Sequence, residues 1–106
     1  MSAELRPAAA MKTLSIGTTP VALDMTGIGP TQKVAWTLEG ADVRVRFDGG
    51  APTGTTGHLI AAGAVGQEGL WTFEMANAMR LVRAATATAD AVLTYTPVID
   101  GRGGKD

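Results

Sequence analysis

Cysteine is absent from this chain, histidine occurs once and serine only twice. The first absence excludes disulfides, thiolate metal sites and cysteine nucleophiles, and it leaves the redox compartment open. The second leaves His58 as the sole imidazole base or ligand, with no Glu-x-x-His or His-x-His neighbour to begin a metal site. Neither Ser2 nor Ser15 lies in a Gly-x-Ser-x-Gly elbow, which argues against a serine hydrolase. Charge is sparse as well, at 18% of 106 residues with a net value of −1. No global field therefore draws the chain to nucleic acid or to anionic lipid. The apolar runs fall far short of a membrane span. The opening MSAELRPAAAMKTL carries Glu4 and no long apolar core, so it does not read as a secretory signal.

What the chain does have is glycine and threonine, 14 of each, together more than a quarter of its length. Apolar residues make up 45%, enough for one domain with a core of its own. Turn-forming glycine between Thr-, Val- and Ala-rich runs points to an all-β domain. The segment TQKVAWTLEG alternates, with Val34, Trp36 and Leu38 on one face, and ADVRVRFDGG alternates with Val43, Val45 and Phe47 inward. Separated by Glu39-Gly40-Ala41-Asp42, the two read as a β-hairpin. MKTLSIG reads as a first strand, and TPVALDM as a second or as its kinked continuation. HLIAAG, the run from Leu70 or Trp71 through Glu74, and AVLTYTPVI supply further strands. ANAMRLVRAATATAD favours a helix by propensity but lacks an amphipathic pattern, so a turn at 75–78 and a strand at 79–85 are expected. The sum is a single-domain antiparallel β-sandwich, jelly-roll-like, of seven to eight short strands. Residues 11–99 form it, residues 1–10 read as a flexible N-terminal arm, and residues 100–106 as a flexible C-terminal tail.

The search for chemistry yields little. DGGAPTGTTG is glycine-rich, but no lysine follows and the next segment is strand-like, so it is not a phosphate loop. Asp48 lacks the acidic or amide partners of a calcium loop. Glu39, Asp48, Glu68 and Glu74 are available for a carboxylate pair, yet most acids here stand beside glycine and read as solvated turn residues. His58 follows Gly57 and reads as a turn histidine. Trp36 and Phe47 share the inward phase of valine and leucine and read as core rather than as a sugar-binding platform. The expectation is no catalytic residue, no metal and no cofactor, and hence a protein that is not an enzyme.

Arginines remain. Arg44 and Arg46 share one strand face, which suits a solvated face, a protein interface or nucleic acid. The negative net charge and the single nearby aromatic, Phe47, tell against the last. Asp48 stands at the start of the adjoining loop, and Leu5, Arg6 and Pro7 lie in the arm, where Leu5 and Pro7 would pack on a neighbour and Arg6 would meet a carboxylate. These six are the expected interface residues.

The segment VRVRFDGGAPTGTTGHLIAAG resembles a pattern in small virion proteins of tailed bacteriophages: an arginine-bearing strand, Asp-Gly, a spacer, Pro-Thr and Gly-His. AMRLVRAATATADAVLTYTPV matches a second part, and KTLSIGTTPVAL fits the leading strand, so the resemblance spans residues 11–98. The ten-residue N-terminal extension and the charged tail depart from it. The resemblance implies a non-enzymatic decoration or cement protein, bound to the major capsid protein or other virion proteins and assembled in the bacterial cytoplasm. Low charge density and the N-terminal arm add the expectation of a homo-oligomer, guessed to be a trimer, and the net charge and short apolar runs that of no nucleic-acid or membrane partner. The alternative is a tail- or fibre-associated module that binds a receptor or glycan through its loops.

Overall fold

Alternating apolar residues bury one face of a strand, and the inward residues of two such sheets make the core of this protein. The computed structural model describes residues 5–62 and 67–100. The strands are β1 (Leu5–Pro7), β2 (Lys12–Ile16), β3 (Val21–Ala22), β4 (Lys33–Glu39), β5 (Val43–Arg46), β6 (His58–Ile60), β7 (Gln67–Thr72), β8 (Arg80–Arg83) and β9 (Ala91–Asp100), with one helix, α1 (Phe73–Ala78), before β8. One sheet runs β2-β9-β4-β7 and the other β3-β8-β5-β6, all antiparallel. Within them β2 pairs β9, β3 pairs β8, β4 pairs β7 and β5 pairs β6. Those are the rungs of one long folded ribbon whose successive rungs fall in alternate sheets. That wrapping defines an eight-stranded jelly roll.

The ninth strand is the extra one. β1 lies along the edge of β9 already used by β2, with Leu5 opposite Asp100 and Pro7 opposite Val98, and Ala8 N–H donates to Pro97 O at 2.7 Å. Sequence reading finds no strand before Met11, because three residues ending in proline carry no period. Pro7 is tolerated here because β1 is an edge strand. Residues 1–4 of the expected arm and 101–106 of the expected tail lie outside the described residues.

β4 and β5 do not form the expected hairpin. β4 pairs with β7 and β9, whereas β5 pairs with β6 and β8 in the opposite sheet. Alternation specifies which residues face inward, and a corner between sheets satisfies it as well as a hairpin does. Gly40 makes the corner, with φ +93° and the place of a Cβ only 2.9 Å from Asp90 O. The inward phases themselves hold: Val34, Trp36, Leu38, Val43 and Val45 are buried, and Phe47 packs partly buried against them. Leu93 and Tyr95 of β9 and Leu81 of β8 complete the centre of the core.

The strand expected to run through Glu74 stops at Thr72. Its hydroxyl accepts the Met75 N–H at 3.2 Å and caps α1. The helix is a little longer than the expected turn, and β8 follows as a strand.

Candidate functional site

The loop between β5 and β6 is braced along its length. Gly49 N–H reaches Ala78 O at 3.1 Å, and Gly54 O accepts from Ala85 N–H at 2.9 Å. Thr53 and Thr56 exchange backbone hydrogen bonds at 3.1 and 3.2 Å, and their hydroxyls meet as well. Pro52 is fully buried. Arg44 sends Nη1 to Gly57 O at 3.1 Å and is half-buried, with its Nε finding no protein partner among the described residues. Arg44 thus props the loop from the strand beneath it.

Arg46, two residues further along β5, is exposed. Its Nε and Nη2 grip Asp48 Oδ1 and Oδ2 at 3.0 and 2.6 Å, and Asp48 Oδ1 also accepts from Gly50 N–H at 3.1 Å. The Arg46 hydrogen bond, with the Gly50 amide behind it, holds the Asp48 carboxyl down at about 2, and Asp48 in turn raises Arg46. Arg80 stands directly opposite Arg46 on β8, also exposed. Like charges in register repel, and the carboxylate of Asp48 offsets that repulsion. Arg83, three residues on, pairs instead with Asp90 at 2.8 Å at the other end of the strand.

Between loop and strand lies an open cleft of about 560 Å³ lined by Arg46, Phe47, Asp48, Thr56, Gly57 and His58. His58 is exposed and lies 5.8 Å from Phe47, ring centre to ring centre. The cleft thus offers hydrogen-bonding groups around one aromatic ring, a surface suited to contact. Among the described residues, no three His, Asp or Glu side chains are grouped to hold a metal, and no helix is long and apolar enough to cross a membrane.

The depressed Asp48 gives a direct test. Its carboxylate contributes to the folded state above its ordinary value of 3.8, and that contribution is lost as pH falls through about 2. An NMR titration of the carboxyl carbon should show a midpoint near 2. In Arg46→Gln the midpoint should move up toward 3.8, and an ordinary midpoint in the native protein would remove the pair as its cause.

The ends of the sandwich differ in sign. β4 runs toward the Gly40 corner and β5 away from it, so Lys33 and Arg46 share the end remote from that corner. Register puts β1 with Arg6, and Arg80, at the same end. Four cations (Arg6, Lys33, Arg46, Arg80) there stand with three acids (Asp48, Glu74, Asp100), while the corner end has Glu39, Asp42 and Asp90 against Arg83. Of the expected interface residues, Arg6 and Pro7 are exposed on β1, and Arg46 with Asp48 is exposed on the facing sheet. The side chain of Leu5 lies outside the described residues.

A second surface was legible only as composition. The outer face of the β2-β9-β4-β7 sheet sets Thr13, Thr94 and Thr37 in one row across three strands, and Thr96, Ala35 and Leu70 in the next. Leu70 and Val92 are 47% and 40% exposed on it. Outward threonines were readable from each strand's alternation, but their alignment needed the register.

Comparison with protein-family models, with curated proteins and with solved structures gives no match to this chain.

Proposed function

We propose that this jelly roll is a non-enzymatic structural protein of a tailed-bacteriophage virion, a capsid decoration protein that binds the lattice of the major capsid protein by its basic end. The observation that carries the reading is the braced loop, which holds the Arg46–Asp48 pair and the cleft beside Arg80 in one arrangement before any partner arrives. A preordered surface loses little conformational entropy on binding. The cation excess around it selects an acidic patch on the shell and steers the approach.

The test is co-sedimentation with particles assembled without the protein. Native protein should attach, and repeated density over the whole shell should appear in images of the decorated particle. Arg46→Glu/Arg80→Glu should weaken attachment by about tenfold or more and remove its salt sensitivity. His58→Gln should attach fully, because the amide keeps a hydrogen-bonding group in the cleft. Removing residues 2–10 takes away Arg6 and β1 and should weaken attachment less than the double charge reversal does. Full attachment by the double variant would overturn the reading, and density confined to a tail tip would replace it with receptor binding.

A further inference from the structure

The outer face of the β3-β8-β5-β6 sheet carries two arginines side by side, and the neighbouring loop treats them differently. Register aligns Ala22 of β3, Arg80 of β8 and Arg46 of β5 in one outward row. Arg46 is committed within the chain. Its Nε and Nη2 hold Asp48 at 3.0 and 2.6 Å, and Gly50 lies so close to the guanidinium that a Cβ there would come 2.7 Å from Arg46 Cζ. Asp48 is engaged too, since its Oδ1 accepts from both Arg46 Nε and Gly50 N–H. Arg80 is exposed and has no carboxylate within 4.0 Å among the described residues. Its other neighbour in the row, the exposed Ala22, offers only a methyl group.

We infer that Arg80 is the residue that receives a carboxylate side chain of the protein partner, while Asp48 occupies Arg46 as an internal ligand. That the partner is the capsid lattice rests on the function proposed above; the site itself is read from this chain alone. Arg46 and Asp48 together carry no net charge, so the charge left over in the row is that of Arg80. Residues in register across a ladder stand about 5 Å apart at Cβ, and like charges there repel. A carboxylate entering beside Arg80 relieves that repulsion. It also meets Arg46 Nη1, the donor that Asp48 does not use, in a charge-assisted hydrogen bond.

The surroundings select a side-chain carboxylate over a phosphate backbone. A nucleic acid gains affinity from several cations in a row, each meeting a phosphate. Here one open cation stands beside Asp48, whose side chain is 62% exposed and repels a polyanion laid along the face. A single acid among neutral residues avoids that repulsion and fits the one open position. Arg80 thus makes the contact, and Arg46 with Asp48 are positioning residues that set its strength.

The experiment has two readouts. In an NMR titration at low salt, a hexaglutamate peptide should shift the backbone and Nε–H signals of Arg80, with half-saturation at roughly 1–10 mM. Arg80→Gln should abolish the effect. Asp48→Asn should tighten binding about threefold, because it removes the competing charge and keeps an oxygen to accept from Gly50 N–H. A purely structural role for Asp48 would give no tightening. In co-sedimentation with particles, Arg80→Gln should weaken attachment about fivefold, and Lys33→Gln, which removes an equal charge from the same end, less than twofold. Peptide shifts that are absent or centred elsewhere overturn the inference, as does an Asp48→Asn protein that binds no tighter, or tighter binding of a DNA oligonucleotide of equal charge. Full attachment of Arg80→Gln to particles that bind the native protein overturns it and leaves the attachment reading standing. A native protein that binds the peptide at Arg80 but not the particles upholds the site and removes the capsid as its partner.

Discussion

Trp36→Ala should lower the unfolding free energy by about 3–5 kcal/mol, most of what a domain of this size possesses. The indole is 8% exposed and lies stacked on Trp71, with ring centres 4.3 Å apart and planes 12° from parallel. Opposite it across the β4–β7 pair stands Gly69, and a Cβ there would be 3.2 Å from the Trp36 ring. The ring fills the room that the glycine leaves, so its removal opens a cavity between Gly69 and Trp71. Cavity cost then adds to the lost transfer energy and to about 0.5–1.5 kcal/mol for the aromatic pair. The indole Nε1 has no protein hydrogen-bond partner among the described residues. Trp36→Phe should therefore cost well under half as much as alanine, because it keeps a ring and removes an unpaired donor. Urea unfolding followed by circular dichroism measures both. A loss below about 1 kcal/mol for alanine would mean that the core is not closed over this ring.

Gly57→Ala should be the second severe change, at roughly 2–4 kcal/mol. Gly57 has φ +120°, and a Cβ on it would sit 3.0 Å from Val45 O and 3.2 Å from Pro52 Cβ. Neither neighbour is the free end of a long side chain, so the loop itself must shift. A shift also carries Gly57 O away from Arg44 Nη1 and uncovers a guanidinium that is already short of partners. Gly49→Ala is the control. It shares the left-handed backbone, at φ +84°, but has nothing within 4 Å of the added carbon. It should cost only the backbone strain, about 1–2 kcal/mol. Equal losses in the two variants would show that steric closure at Gly57 plays no part in holding the loop.

The loop that turns β5 into β6 connects these energetics to the proposed function. Threonine hydroxyls, Pro52 and the Gly57 approach make it rigid, and rigidity is what lets Arg46, Asp48 and Phe47 present one fixed surface. A capsid-binding protein that loses this order should lose affinity through the entropy of re-forming the loop, before it loses any direct contact.

Much of the sandwich was present in the sequence because a strand's inward phase is a local property. Val34, Trp36 and Leu38 alternate with polar residues whatever they pair with, and so do Val43 and Val45, so the core could be named before any sheet was known. Pairing is not local. The same alternation serves a hairpin or a corner, and only the opposing sheets, with Asp90 O pressed on Gly40, decided for the corner. Arg44 and Arg46 are indistinguishable by phase, both outward on one strand. The fold separated them by laying Gly57 over the first and leaving the second to Asp48. β1 needed an edge of β9 supplied from more than ninety residues away, and the threonine rows needed three strands in register. Composition and alternation thus determined that the chain is an all-β sandwich with a neutral surface. Which arginine lies under Gly57, which threonines share a row and which residues gather at each end of the sandwich were decided by long-range pairing, because those depend on neighbours that the local sequence does not name.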